Sequence, residues 1–365
     1  MAVFEHPEFA GHERVVHVAD RATGLRSIIA IHDRTLGPAV GGCRVFPYAT
    51  SADAIADVLR LSKGMTYKNA LAGLPLGGGK SVIIADPKDK TPELIRAFGR
   101  AVDELAGQYW AGQDVNFGIA DAEIVAGVTP YVLGRTKGRV TSGDPSPFTA
   151  GGVFAGMKGA LSHVFGNSDV AGRRVAVQGL GSVGFKVARL VTEAGGRVVV
   201  SDVRPESTER AARELGADVV PTEAIFDERC DIFAPCAMGA TISEETVPRL
   251  RARIICGAAN NQLSHPQVGR TLMERGIAYA PDYVVNAGGV LNAFGDFSGV
   301  YDVAAVWPKV ESIADTVVRI LEGADRQKRP SSDIADEMAE AVLAEARNER
   351  QARQKAPPGR AAQTG

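Results

Sequence analysis

The sequence predicts an α/β chain of two domains, the second a doubly wound parallel sheet. The chain has 365 residues, of which 45% are hydrophobic. That length allows two domains of ~150 residues, each with its own core. From residue 173 onward, short β-branched runs alternate with helical stretches, the signature of parallel strands joined by crossover helices. The earlier strands and helices follow no such rhythm. Between the two lies GRVTSGDPSPFT (138–149), a Gly/Pro/Ser-rich stretch that reads as a linker or hinge.

LRSIIAIH (25–32) reads as a strand that turns apolar along its length. SADAIADVLRLSKGMTYKNAL (51–71) reads as a helix with Ser51 as N-cap and Asp53 in its first turn, its face formed by Ile55, Val58, Leu59 and Ser62. A glycine loop then enters the strand SVIIA, stopped by Pro87. TPELIRAFGRAVDEL (91–105) is a helix capped by Thr91, with Pro92 first and Leu94, Ile95, Phe98, Val102 and Leu105 on its apolar face. In the second half RRVAVQG (173–179), RVVVSD (197–202), CDIFAPC (230–236) and ARIICGAAN (252–260) read as strands, and FKVARLVTEAG (185–195) as a helix. VWPKVESIADTVVRILEGA (306–324) reads as one long amphipathic helix and DIADEMAEAVLAEARNER (333–350) as another. The polar, Pro/Gly-containing tail 351–365 is expected to be disordered.

Composition excludes several classes. Net charge is −2, with both signs mixed along the chain, so neither nucleic acid nor a membrane surface is an expected partner. The first residues are too polar and acidic for a signal peptide, and no apolar run approaches the ~20 residues of a membrane span. A soluble cytoplasmic protein is expected. Cys43, Cys230, Cys236 and Cys256 lack metal-type spacing, so buried free thiols and no metal site are expected. AGLPLGGGKS (72–81) imitates a phosphate-binding loop, but Leu74 stands where that loop needs glycine, and a strand rather than a helix follows.

Gly179-Leu180-Gly181-Ser182-Val183-Gly184 has a strand before it, a helix after it, and Asp202 at the end of the next strand. This is the dinucleotide-binding context of a Rossmann domain. Gly179 makes the turn, Gly181 admits the pyrophosphate to the backbone, and Gly184 lets helix and sheet pack closely. Asp202 accepts from the adenosine ribose hydroxyls and would repel a 2′-phosphate, which favours NAD over NADP despite Arg204 nearby.

Lys68 and Lys80 flank the glycine loop. In one partly buried pocket each would disfavour the other's charge. One could then serve as a low-pKa base and the other hold a carboxylate. Spacing alone leaves this pair and two solvated surface lysines equally open. LGPAVGGCR (36–44), KGMTYKNALAGLPLGGGKSVIIADP (63–87), GQDVN (112–116), APCAMGA (234–240), GAANNQL (257–263) and APDYVVNAGGV (280–290) occur in order. The chain thereby resembles the glutamate/leucine/phenylalanine/valine dehydrogenase superfamily from about residue 10 to 350, closest to its leucine/valine/phenylalanine branch.

The resemblance implies NAD-dependent, reversible oxidative deamination of an L-amino acid to the 2-keto acid and ammonia. It implies that Lys80 is the low-pKa base that activates water, that Asp114 shuttles the amine proton, and that Lys68 binds the α-carboxylate. Gly41 and Asn261 would contact substrate. Thr149, Asn260 and Asn286, with Ser182 and Val183 of the fingerprint, would surround the cofactor. It also implies a catalytic and oligomerisation domain over 1–138, completed by the helix 330–350, a Rossmann NAD-binding domain over 139–329, and a dimer or octamer. Val40 stands where glutamate enzymes carry a lysine for the side-chain carboxylate, so an apolar substrate is expected, walled by Val40, Gly41, Met65, Val290 and Ala293. Residues 291–302, LNAFGDFSGVYD, depart from the aliphatic branch. They keep open a relative recruited to supply a 2-keto acid or imine to a partner enzyme. A non-catalytic NAD-binding protein is the remaining alternative.

Overall fold

The computed structural model describes residues 3–136 and 142–355. Residues 137–141 of the expected linker and 356–365 of the expected tail lie outside the described residues. The first part contains β1 (Arg14–Asp20), β2 (Leu25–Asp33), β3 (Ala39–Phe46), α1 (Ser51–Leu71), β4 (Gly77–Ile84), α2 (Pro92–Asp103), β5 (Tyr109–Gly112) and α3 (Ile119–Ala126). Its sheet runs β1-β2-β4-β3-β5. β1, β2 and β4 pair antiparallel, and β3 lies parallel to β4 and β5. Alternation along β2 builds two cores at once. Ile28 and Ala30 meet Val58 and Leu59 of α1, while Ile29 and Ile31 join Ile95 and Phe98 of α2.

The glycine loop expected before SVIIA is itself strand: Gly77, Gly78 and Gly79 open β4, and Lys80 stands at its middle. Their glycine character serves packing rather than substrate approach. A Cβ on Gly78 would lie 2.1 Å from Thr66 N in α1, and one on Gly79 2.7 Å from the Tyr109 ring. Helix α1 therefore rides directly on the backbone of β4. It is capped by Thr50 rather than Ser51, the Thr50 side chain accepting from Asp53 N in a capping box. From beneath, His12 Nε2 meets Ser62 Oγ (3.0 Å) and His32 Nδ1 meets Thr66 Oγ1 (2.8 Å). Burial pushes both imidazoles down to about 4, so they are neutral at pH 7.

The second part begins with α4 (Ser146–Phe165), so the expected linker ends at Pro145 and Thr149 is helical. Four glycines mask this helix in sequence, since glycine is a poor helix former. The fold uses them for close contact: a Cβ on Gly152 would lie 2.6 Å from Val285 O, and one on Gly159 2.4 Å from Ala314 O. Then follow β6 (Arg174–Gln178), α5 (Gly184–Glu193), β7 (Arg197–Ser201), α6 (Pro205–Leu215), β8 (Asp218–Val219), β9 (Ile232–Pro235), β10 (Ile254–Ile255), α7 (Gln267–Glu274) and β11 (Ala278–Tyr279). Their sheet is parallel throughout, in the order β11-β10-β9-β6-β7-β8. This is the doubly wound order, with its switch point beside β6, where ligands bind at the carboxyl ends of the strands.

The remainder is helical: α8 (Asp282–Val285), α9 (Gly288–Ser298), α10 (Val303–Glu311), α11 (Ile313–Gln327) and α12 (Ser331–Lys355). The single helix expected over 306–324 is divided at Ser312. Pro308 has no N–H to give the preceding turn, and the Ser312 hydroxyl turns back to Lys309 O (2.8 Å). α12 runs through Lys355, so residues 351–355 extend the helix instead of beginning the tail. It returns to the first part. Ala339 and Leu343 pack on Tyr67 and Ala70 of α1, and Tyr67 donates its hydroxyl to Glu340 Oε1 (2.6 Å). Among the described residues no helix is long and apolar enough to cross a membrane.

Candidate active site

A cavity of ≈ 300 Å³ opens between the two parts. Helix α1 contributes Leu61, Gly64, Met65 and Lys68, whose i, i+3, i+4, i+7 spacing is one helical face. β3 brings Val40 and Gly41, β4 brings Lys80, and the end of β5 brings Gly112, with Gln113 and Asp114 just beyond. Across the cleft stand Val183, Thr149, Asn260, Asn261, Asn286, Val290 and Ala293. The fold thus gathers the sequence-predicted substrate and catalytic residues in one wall set. Gly179, Gly181, Ser182, Gly184 and Asp202 lie outside that wall, along the adjoining crevice at the ends of β6 and β7.

Lys80 is 3% exposed and its ammonium contacts Asp114 Oδ2. Asp114 Oδ1 accepts from Arg44 Nε (3.1 Å) and from Val115 N (2.7 Å). Burial opposes charge on Asp114, but Lys80 and Arg44 together overcome it and hold the carboxylate well below its usual range. It is therefore ionised at neutral pH. Lys68 reaches Asn260 Oδ1 at 3.5 Å. Burial, then the charge of Lys80, lowers its pKa to about 8, against the pull of Asp282 and Asp114. The lowering of Lys68 was not expected from the sequence, which gave that lysine an undisturbed charge.

The cofactor crevice passes a test of fit. Gly179 has φ +92°, a left-handed turn that glycine adopts freely. A Cβ on Gly184 would lie 2.0 Å from Gly179 O, whereas one on Gly181 would meet nothing within 4 Å. Gly181 therefore leaves a clear approach to the backbone at the start of α5, where a pyrophosphate is favoured. Asp202 Oδ2 accepts from Leu180 N (2.7 Å), and its Oδ1 from Arg204 N and Nε. On the cavity side, Asn286 donates to Asn260 Oδ1 (2.8 Å), while its own buried Oδ1 has no partner. That leaves an acceptor for an incoming amide or hydroxyl.

Three contributors were missed in the sequence. Arg44 shares β3 with Val40 and Gly42, and the two-residue strand period would have placed all three on one face. Asp282 is buried in the cavity wall, accepts from Gln262 N (2.9 Å) and the Tyr279 hydroxyl (3.0 Å), and is raised by its burial. No local pattern marks it. Residues 291–302 do more than shape the pocket: Asp296 accepts from Gly134 N (2.8 Å) and Ser142 N (2.5 Å), gripping both flanks of the crossing between the parts. Cys43 packs into the core beneath the site, where burial pushes its thiol far up.

Residues 12–130 match the family description "Glu/Leu/Phe/Val dehydrogenase, dimerisation domain", and residues 201–298 match "Glutamate/Leucine/Phenylalanine/Valine dehydrogenase". A leucine dehydrogenase of Thermoactinomyces intermedius is 46% identical over 341 residues, 93% of each chain. A valine dehydrogenase of Streptomyces virginiae is 45% identical over 346 residues, 94% of this chain and 96% of that one. The crystal structure of L-tryptophan dehydrogenase from Nostoc punctiforme is 42% identical with a TM-score of 0.79, covering 95% of this chain and all of the other.

Proposed function

Because this chain belongs to the Glu/Leu/Phe/Val dehydrogenase family and is an amino-acid dehydrogenase, we propose that it performs NAD-dependent, reversible oxidative deamination of an apolar L-amino acid to the 2-keto acid and ammonia. The observation that carries this reading is the placement of Lys68, Lys80 and Asp114 on one wall of a cleft whose other wall holds Asn286 and the fingerprint residue Val183.

In this reading Lys68 and the backbone at Gly41 hold the α-carboxylate, and Asn261 bonds the substrate. Asp114 faces the amine, takes its proton and then stabilises the positive charge of the imine. Lys80, in its neutral form after losing its own proton to solvent, draws a proton from water as that water attacks the imine. The bound nicotinamide supplies the hydride acceptor, with Thr149, Asn260 and Asn286 around it and Gly179, Gly181, Ser182 and Gly184 along its pyrophosphate. Val40, Met65, Val290 and Ala293 wall the side chain. They offer no partner for an acidic group, whose unpaired burial is costly. Leucine, isoleucine, valine and phenylalanine differ little for such a pocket, and the relative at 42% identity adds tryptophan. The dimerisation-domain match supports a homo-oligomer.

The test follows NADH formation at alkaline pH with L-Val, Leu, Ile, Phe, Trp and Glu. Turnover with an apolar member and none with Glu supports the reading. No turnover with any of them, while NAD binds, overturns it in favour of the recruited biosynthetic relative or the non-catalytic NAD-binding protein.

Two expected results belong here. Asp202→Ala should weaken NAD binding roughly tenfold to a hundredfold, the value of hydrogen bonds to a charged group, and leave the amino-acid KM nearly unchanged. It should also narrow any preference over NADP, because Arg204 is then freed from Asp202. An unchanged NAD affinity by fluorescence titration would contradict the ribose role. For Lys68, carboxylate binding requires the protonated amine, so kcat/KM for the amino acid should carry a limb that falls as pH rises through about 8. A bound carboxylate raises that pKa, so kcat itself should show the limb at higher pH. Coincident limbs in the two profiles would argue against Lys68 as the carboxylate site.

A further inference from the structure

Arg44 holds its guanidinium between two carboxylates. Nε donates to Asp114 Oδ1 at 3.1 Å, and Nη1 to Asp57 Oδ2 at 2.9 Å. Asp57 Oδ2 also accepts the Tyr48 hydroxyl at 2.5 Å. Asp57 comes from α1 and Arg44 from β3, so the arginine ties the helix that carries Lys68 to the carboxylate beside Lys80. The side chains of Arg44, Asp57 and Asp114 are 19%, 22% and 11% exposed, too little for water to replace these bonds cheaply.

We propose that Arg44 is a positioning residue for the deamination: braced by Asp57 and Tyr48, it pins one oxygen of Asp114, leaves the other to Lys80 and the substrate amine, and keeps the carboxylate ionised. The proposal rests on the reading of Asp114 as the group that faces the amine. With Oδ1 tied to Arg44 and to Val115 N, the carboxylate cannot exchange its two oxygens without breaking both bonds. Its free oxygen then has one direction. The charge argument is independent. Asp114 faces Lys80 from β4, Arg44 from β3 and Lys68 from α1, with the neutral Cys43 thiol and Tyr109 phenol on its core side. Asp57 stands behind Arg44. Remove Arg44, and Asp114 keeps Lys80 but loses the second of the two cations that hold its charge against burial, so its carboxyl pKa rises. A lysine could supply charge but could not bridge both carboxylates, since only the guanidinium presents a planar fork.

The experiment compares pH profiles of kcat/KM for wild type, Arg44→Gln, Arg44→Lys and Asp57→Asn, using the best amino acid of the panel. Arg44→Gln should lower kcat about a hundredfold, as expected when a reacting group is misplaced by about 1 Å, and move the acid limb up by about one pH unit or more. Arg44→Lys should restore the acid limb but only part of kcat. Equal losses in both variants with an unmoved acid limb would overturn the proposal. Should Arg44→Gln fail to fold, Asp57→Asn decides: kcat should fall several-fold with the NAD KM unchanged, and a wild-type kcat overturns it. Carbon-13 NMR titration of the Asp114 carboxyl separates this proposal from the reaction itself. If wild type turns over no amino acid, the functional reading fails, yet a rise in the Asp114 pKa on removing Arg44 still supports the positioning role. An identical titration in wild type and Arg44→Gln overturns it.

Discussion

Lys80→Ala is expected to abolish turnover, with kcat down about 10³-fold or more, beyond the middle of the range for a single general base, while NAD binds as before. Lys80 touches the reacting end of the cleft but lies in β4, on the opposite wall from the fingerprint loop. Its loss removes the proton acceptor for water without disturbing Gly181 or Asp202. The variant also leaves Asp114 buried with Arg44 as its remaining contact cation, and breaking a buried pair costs about 3–5 kcal/mol. Unfolding midpoints must therefore be measured beside kinetics. A folded variant that quenches NADH fluorescence normally and turns over at near-normal rate would remove Lys80 from the mechanism.

Asp114→Asn is the second large effect. Its shape is conserved, so packing survives. The amide cannot accept from Arg44, Val115 N and Lys80 together, and it carries no charge for the imine. A fall in kcat of about 10²–10⁴-fold is expected, with the NAD KM unchanged. Loss confined to the amino-acid KM would instead make Asp114 a binding group. The same substitution has a stability signature. The native carboxylate is held below its unfolded value of ~3.9 by Lys80 and Arg44, against its burial. It therefore adds stability that is present above that pH and fades as pH falls below it. Wild type should lose more stability than Asp114→Asn between neutrality and pH 3 in urea titrations. Parallel curves would mean that the ion pair is also present in the unfolded chain.

Much of this was legible before any coordinates. The strand–glycine–helix unit at 174–193 announces itself because its spacing is local: turn, approach and packing are solved within a dozen residues. Lys68 and Met65 were placed by the resemblance; the face read along α1 was that of Ile55, Val58, Leu59 and Ser62. Other features were hidden because their causes are distant in sequence. The three glycines before Lys80 look like a loop until Thr66 and Tyr109 are seen pressing on them. Helix α4 was hidden because its glycines answer only to Val285 and Ala314, distant in sequence, and only its first turn fell within the expected linker. Arg44 stayed invisible because its partners come from α1 and from the turn after β5. The lowering of Lys68 was hidden for a related reason: spacing says that two lysines share a pocket, but not how deeply each is buried or which of them Asp114 touches.

The return of α12 onto α1 has a consequence for biogenesis. Tyr67 and Glu340 are separated by 273 residues, and that contact cannot form until the ribosome has delivered almost everything between them. Until then the outer surface of the helix bearing Lys68 lacks the cover that Ala339 and Leu343 supply, although the sheet beneath it is complete. The nascent chain is thus most vulnerable to off-pathway association late in synthesis, when the parallel sheet has been made but its closing helix has not. Maturation of the surroundings of Lys68 is tied to the arrival of that helix, which makes α12 a checkpoint on α1.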